Sequence, residues 1–325
     1  MKAVVCKAYG PPESLELTEL ALPKLGPKDV HLRIRAAGVN FPDLLIIQGK
    51  YQYKPAFPFA PGAECSGDVL AVGSDVGHVK KGDRVMAMPG NGAFAEEVVC
   101  AGHKVMPFPA EMDYVTAAAM GLTYGTSAFA LMQRAQLKAG EWLLVHGASG
   151  GVGISAVEIG KAMGAHVIGT GGDDAKLEQA SAHGCDHVIN YAKGEFKDKV
   201  KELTGGKGAD VIYDAVGGDA FDQSLRCINW DGRLLVIGFA SGRIPSAPAN
   251  LALLKNCSIV GVFWGAWSER DPAGNRKNFD LLFRWWKEGK LKPHVSHRFP
   301  LARAVDALNA VAQRKVVGKA VIEVG

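Results

Sequence analysis

The chain has 325 residues, 37 Lys and Arg against 33 Asp and Glu for a net charge of +4, and is 48% apolar and 22% charged. That length predicts about two domains, and the composition is that of a globular protein, not a disordered or fibrous one. A slight positive balance with no basic block argues against nucleic acid, and six scattered cysteines with no CxxC pair exclude a small disulfide framework. The opening Met1–Cys6 lacks the apolar stretch of a secretory signal, and no run reaches the ~18 apolar residues of a membrane span. A reduced, cytoplasmic protein is expected.

Strands and turns fill the first ~120 residues. Met1–Ala8 alternates loosely, Leu15–Leu20 more clearly, and Val30–Ala36 has the period of two of a half-buried strand. Cys65–Val72 and Arg84–Met88 fit further short strands between Pro- and Gly-rich turns, giving a β-rich, barrel-like unit. Near Thr116 the texture changes. Thr116–Gln133 is rich in Ala, Leu and Met, as helices are, and Trp142–His146 is a continuous apolar run suited to a strand buried on both faces. Gly151–Gly164 follows with apolar residues at helical spacing. Strands are then predicted at His166–Thr170, His187–Asn190, Asp210–Tyr213, Arg233–Ile237 and Ser258–Phe263, with helices at Ala175–His183, Phe196–Leu203 and Ala220–Ile228. This alternation predicts an α/β fold with a doubly wound parallel sheet of the Rossmann kind. A helix at Asn278–Glu288, a strand at Val295–Phe299, a helix at Leu301–Arg314 and a strand at Lys319–Val324 close the chain.

One motif carries chemistry by its context: Val145-His146-Gly147-Ala148-Ser149-Gly150-Gly151-Val152-Gly153 follows a buried strand and opens a helix. Gly147 permits a tight turn, Gly150 and Gly151 let backbone approach a diphosphate, and Gly153 lets the helix pack closely. The amides at the helix start, with Ser149 and Val152 among them, would hold the phosphates of a dinucleotide. An NAD site puts Asp or Glu at the end of the second strand, whereas this chain has Thr170-Gly171-Gly172. Asp173 and Asp174 follow closely, but Lys176 is also within reach and could pair with a 2′-phosphate, so NADPH is favoured over NADH.

Ala37–Asp43, Pro61–Gly67, Val79–Val85 and Gly121–Tyr124, together with that fingerprint, resemble the medium-chain dehydrogenase/reductase superfamily over nearly the whole chain. The resemblance implies a GroES-like β-barrel domain over residues 1–120 and 265–325 enclosing a Rossmann NADPH-binding domain over residues 121–264. Where zinc alcohol dehydrogenases of the superfamily carry catalytic Cys, His and Cys, this chain has Asn40, Ala63 and a residue near Ala119, none a useful zinc ligand. The four-cysteine structural zinc lobe is also missing. The likeness narrows to the zinc-free quinone oxidoreductase, or zeta-crystallin-like, branch, with Val188-Ile189-Asn190-Tyr191 as a further shared motif.

That resemblance implies Asn40 and Thr123 at the nicotinamide end and Asp43 and Tyr51 bordering the substrate cleft. Asn40 could equally be a left-handed turn residue, and Tyr51 an apolar wall. It also implies Gly171, Lys176, Tyr191 and Arg314 around the 2′-phosphate, and Gly217, Gly238, Phe239, Ala240, Ser241, Val262, Phe263 and Trp264 along the cofactor. Without zinc to hold an alkoxide, the fitting chemistry is hydride delivery from NADPH to an electron-poor quinone or α,β-unsaturated carbonyl. Two alternatives stand beside it. One is reduction of a 2-enoyl thioester, for which Lys50, Lys54 and Arg270 are scattered candidates to hold a phosphopantetheine arm. The other is an NADPH-binding module associated with RNA or sensing redox state. Ser258–Phe263 is expected at the sheet edge, where an apolar strand invites a homodimer. His183, Cys185 and His187 look metal-like but should diverge, His294 and His297 read as ordinary surface or packed histidines, and Trp285-Trp286 with Phe279 reads as core.

Overall fold

In the computed structural model, which describes residues 1–325, the chain forms two units, Met1–Leu122 with Pro293–Gly325, and Thr123–Lys292. In chain order the elements are β1 (Lys2–Val5), β2 (Glu16–Glu19), β3 (Asp29–Val39), α1 (Phe41–Ile47), β4 (Glu64–Val72), β5 (Arg84–Ala87), β6 (Glu97–Ala101), β7 (Val105–Pro107) and α2 (Tyr114–Ala128). There follow β8 (Trp142–His146), α3 (Gly151–Ala162), β9 (His166–Gly171), α4 (Asp174–Ala182), β10 (His187–Asn190), α5 (Lys197–Leu203), β11 (Ala209–Asp214), α6 (Asp219–Cys227) and β12 (Ile228–Val236). The chain ends with α7 (Ala249–Lys255), β13 (Ser258–Gly261), α8 (Trp264–Arg270), α9 (Pro272–Lys287), β14 (Val295–Pro300), α10 (Ala304–Ala312) and β15 (Lys319–Glu323).

The first unit is the expected GroES-like β domain. Its seven-stranded sheet runs β14-β15-β3-β4-β5-β7, with β6 also paired to β3 and a separate β1–β2 pair. Register shifts between β3 and β4 at His31/Leu32 and Ile34/Ala36 add local twist, curling the sheet round Leu32, Ile34, Val85 and Phe94. The second unit holds a six-stranded parallel sheet in the order β10-β9-β8-β11-β12-β13, the doubly wound arrangement. Leu143, Leu144 and Val145 of the central β8 are fully buried, which explains a run with no polar alternation. The order reverses between β8 and β11, so the carboxyl ends of those strands are where a dinucleotide belongs.

Four expectations need correction. The first is the return to the β domain, expected at residue 265, which falls at Pro293. Residues 265–292 stay with the nucleotide unit because Trp267 stacks on Phe129 at 4.5 Å, and Gln133 and Asn278 exchange hydrogen bonds of 2.9 and 3.1 Å. The second concerns the short helices α1, α7 and α8, which were not foreseen. The third concerns α9, which starts at Pro272, capped by the Asp271 carboxylate on the Gly274 N–H, six residues before the predicted start. Last, one helical stretch of 21 residues, Tyr114–Arg134, is long and apolar enough to cross a membrane, with a mean hydropathy of 1.2 over its most apolar 18 residues. Its apolar composition matches its place in the fold, where 78% of those 18 residues are buried.

Candidate active site

In the nucleotide unit, β8 ends in a turn at Gly147, whose φ of +66° a side chain would resist. The Ala148 N–H donates to the Thr170 carbonyl at 3.0 Å and ties the turn to β9. Gly150 is the N-cap of α3 and offers no side chain, so no side chain caps the helix start. A Cβ at Gly153 would lie 2.1 Å from the Gly147 carbonyl oxygen and 2.8 Å from Ala148 Cα, so only glycine lets the helix seat against the turn. Gly147, Ser149, Gly150, Gly151, Val152 and Gly153 together form a cradle whose positive helix end favours a diphosphate.

At the end of β9, both acids that follow the strand are engaged. Asp173 Oδ1 accepts the Lys176 N–H at 3.0 Å as the cap of α4. Asp174 receives Lys193 Nζ at 2.5 Å and Asn190 Nδ2 at 2.7 Å, which hold its carboxyl below the usual range. Gly171 is buried, Lys176 is half-buried on the first turn of α4, and a Cβ at Gly172 would lie 3.2 Å from the Tyr191 ring. Gly171 thus ends β9 with no carboxylate of its own, Lys176 lies on the first turn of the helix that follows, and the Tyr191 ring lies against Gly172.

The ends of β11 and β12 are stitched by backbone. Buried Asp214 accepts the N–H groups of Val216 and Gly217, both at 2.8 Å, while its carbonyl takes Gly238 N–H at 3.3 Å. Ala240 and Ser241 donate to the Ala215 and Val216 carbonyls at 3.1 and 2.9 Å, so Gly217 and Gly238–Ser241 form one surface, with Phe239 exposed. After β13 the Val262 N–H reaches the Val236 carbonyl at 3.1 Å. Phe263 is 56% exposed, whereas Trp264 is buried, its indole N–H donating to Asn275 at 2.9 Å and its ring filling the space that a Cβ at Gly125 would need. Thr123 is buried, and its carbonyl accepts the Ser155 hydroxyl at 3.0 Å, linking it to α3.

Two buried groups in this unit escaped sequence reasoning. Glu158 on α3 accepts Tyr124 OH at 2.6 Å, Lys292 N–H at 3.0 Å and His183 Nδ1 at 2.6 Å. His146 pairs its two ring nitrogens with the Thr170 and Ser224 hydroxyls, both at 2.8 Å, and burial pushes its pKa down. The metal-like trio does diverge. His183 is taken by Glu158, the Cys185 thiol is pushed up to about 12 by burial, and His187 stacks on Trp142.

In the β unit, Asn40 is not in the left-handed region; it is extended (φ −128°, ψ 153°) and N-caps α1. Its N–H donates to Asp43 Oδ2 at 2.8 Å. Its side chain enters a buried network that the sequence did not announce: Nδ2 donates to Glu64 Oε1 at 2.8 Å, and Lys319 Nζ donates to Asn40 Oδ1 at 2.5 Å and to Glu64 Oε1 at 2.7 Å. Asp43 is 1% exposed with Oδ1 unpartnered, and burial raises its pKa to about 7 against the lowering effect of the Asn40 N–H and Lys319. Tyr51 is half-buried against the β core, and burial pushes its phenol up. Arg314 lies just beyond α10, exposed and in the left-handed region at φ +55°.

The residues at the catalytic-zinc positions do not fit that metal. Asn40 Oδ1 already receives an ammonium, Ala63 and Ala119 bear no ligating atom, and no three His, Cys, Asp or Glu side chains stand together anywhere as a ligand set.

Residues 26–110 match the alcohol dehydrogenase GroES-like domain family, and residues 151–276 the zinc-binding dehydrogenase family. The chain is 42% identical over 324 residues to a quinone oxidoreductase-like protein 2 homolog of Nematostella vectensis, covering 99% of this chain and 88% of that one. It is 36% identical to a quinone oxidoreductase of Pseudomonas aeruginosa, covering 99% of each. Among solved structures it is similar to Escherichia coli quinone oxidoreductase complexed with NADPH, with TM-score 0.92 and 29% identity over 99% of this chain and all of that one. With the fold, the glycine cradle and these relatives in agreement, the chain belongs to the medium-chain dehydrogenase/reductase superfamily, as a quinone oxidoreductase-like member.

Proposed function

We propose that the protein reduces quinones and other α,β-unsaturated carbonyl compounds with NADPH and without a metal ion. The observation that carries this reading is the uncapped glycine cradle at α3 joined to a β9 end where glycine stands in place of the acid. When bound, NADPH supplies the hydride. The amides of Gly150–Gly153 bind its diphosphate, and Gly171, Lys176 and Tyr191 accept the 2′-phosphate. Thr123, Gly217, the Gly238–Ser241 backbone and Val262–Trp264 orient the nicotinamide ring. Asn40 and Tyr51 donate hydrogen bonds to the acceptor oxygen, where negative charge grows as hydride arrives. An acceptor that is already electron-poor needs no stronger electrophile, which matches a site without zinc ligands.

The apolar Ile259 on edge strand β13 and Phe263 just beyond it are exposed, as are Leu253 and Leu254 of the preceding α7, which supports pairing of two copies along that edge. The functional reading is tested by NADPH oxidation with a panel of quinones and enones in chelator-treated buffer. Turnover that persists under chelation and is slower with NADH is expected. Absence of turnover with every acceptor would overturn it.

A further inference from the structure

Lys319 and Glu64 are charged, 4% and 1% exposed, and bound to each other at 2.7 Å inside the β unit. Each has its partners complete. Lys319 Nζ gives its three hydrogens to Val39 O at 3.0 Å, Asn40 Oδ1 and Glu64 Oε1. Glu64 Oε1 takes Lys319 and Asn40, and Oε2 takes the Leu122 N–H at 2.6 Å. The approach is close enough to exclude a side chain at Gly38, where a Cβ would sit 2.4 Å from Glu64 Oε1 and 2.5 Å from the Ala118 carbonyl oxygen.

The consequence falls on the Asn40 carboxamide. An ammonium faces its oxygen and a carboxylate faces its NH2 group, so a flipped amide would set NH2 against NH3+ and oxygen against oxygen. Only one orientation fits. Within it, Nδ2 donates to Glu64 Oε1 at 2.8 Å and, more weakly, to the Gly38 carbonyl at 3.4 Å, a bond that a better-placed acceptor can replace. A buried ion pair adds little stability by itself, since desolvation offsets its attraction, whereas a fixed registry is its best-attested use.

We propose that Lys319 and Glu64 are positioning residues for the reduction, a buried clamp that fixes the Asn40 amide so that its second N–H is presented to the acceptor oxygen. This rests on the reductase reading above and on Asn40 as the acceptor contact. The clamp also polarises that N–H, because the ammonium on Oδ1 draws density from the amide.

Removing one charge alone would strand the other and unfold the β unit, so the decisive variant is the neutral pair K319M/E64Q, compared with N40A and the triple variant. With the wild type turning over, the clamp predicts that K319M/E64Q folds with unchanged NADPH affinity and loses about 10²-fold in kcat for quinone, with a smaller change in KM. It further predicts no added loss when the pair is changed in the N40A background, because the pair acts only through that amide. A folded K319M/E64Q enzyme with wild-type kcat, or an undiminished further loss in N40A, overturns the proposal while leaving the reductase reading intact. A second design covers failure of the pair to fold: E64D keeps the charge but shortens the reach, and it should lower kcat while retaining the fold; wild-type kcat in E64D also overturns the clamp. If the wild type oxidises NADPH in the presence of none of the acceptors, the reductase reading falls first and the clamp falls with it.

Discussion

Gly153→Ala probes the cradle at its tightest point. The new methyl would begin 2.1 Å from the Gly147 carbonyl oxygen and 2.8–2.9 Å from Ala148 backbone atoms, about 1 Å short of ordinary contact with groups that cannot rotate away. Helix α3 must therefore shift from the β8 turn by about that distance. Overpacking of this kind costs about 1–3 kcal/mol of stability. The same shift carries the leading amides of α3 off the diphosphate, and losing one charge-assisted hydrogen bond costs about 1.5–3 kcal/mol. NADPH affinity should accordingly fall about 10- to 100-fold. Titration calorimetry of the folded variant reads the affinity, and urea melts read the stability. A Gly153→Ala protein that melts earlier yet binds NADPH within twofold of wild type would refute the claim that these amides hold the phosphates.

Lys176→Ala should weaken NADPH by about 10-fold or more and leave NADH unchanged, measured as the two dissociation constants. Ile259→Lys, on the exposed edge of β13, should convert a dimer mass to a monomer mass in light scattering without unfolding the chain. Asp43 gives a pH prediction. Its folded pKa of about 7 lies above the value near 4 of an unfolded aspartate, so the native state holds a proton that the unfolded chain has lost between those values. Its contribution to stability is present below about pH 4 and is lost as pH rises to about 7, with a limiting slope of about 1.4 kcal/mol per pH unit. Asp43→Asn should therefore gain on wild type across that window in urea melts at stepped pH. A constant difference would contradict it.

The nucleotide sheet was legible because its signals are local. A five-residue apolar strand, a glycine turn and a helical pattern lie next to one another from Trp142 to Gly164, and the structure keeps that order. Helix α1 was hidden because it is two turns long and carries Pro42 inside it, so too few residues show the period. Helix α7 was hidden for another reason: Leu253 and Leu254 are exposed, and its apolar residues mark no inward face. The boundary at Pro293 was misplaced because what binds α8 and α9 to the nucleotide unit is contact with α2 and the helical segment that continues it, over 100 residues earlier. The clamp on Asn40 joins residues 255 and 279 positions apart, which no spacing argument reaches. The signal available was an oddity of type: Glu64 opens a strand that is otherwise largely apolar or small, and Glu158 is a lone acid in the apolar helix α3. Both turn out to be buried and fully engaged.

The most direct test of hydride transfer follows the atom itself. Chelator-treated protein is given an enone and NADPH carrying deuterium on one face of the nicotinamide C4, and the product is read by mass spectrometry and NMR. The reading predicts one deuterium at the product β-carbon from one cofactor face only, at a rate that added zinc does not raise. Product without label, label from both faces equally, or dependence on zinc would contradict it.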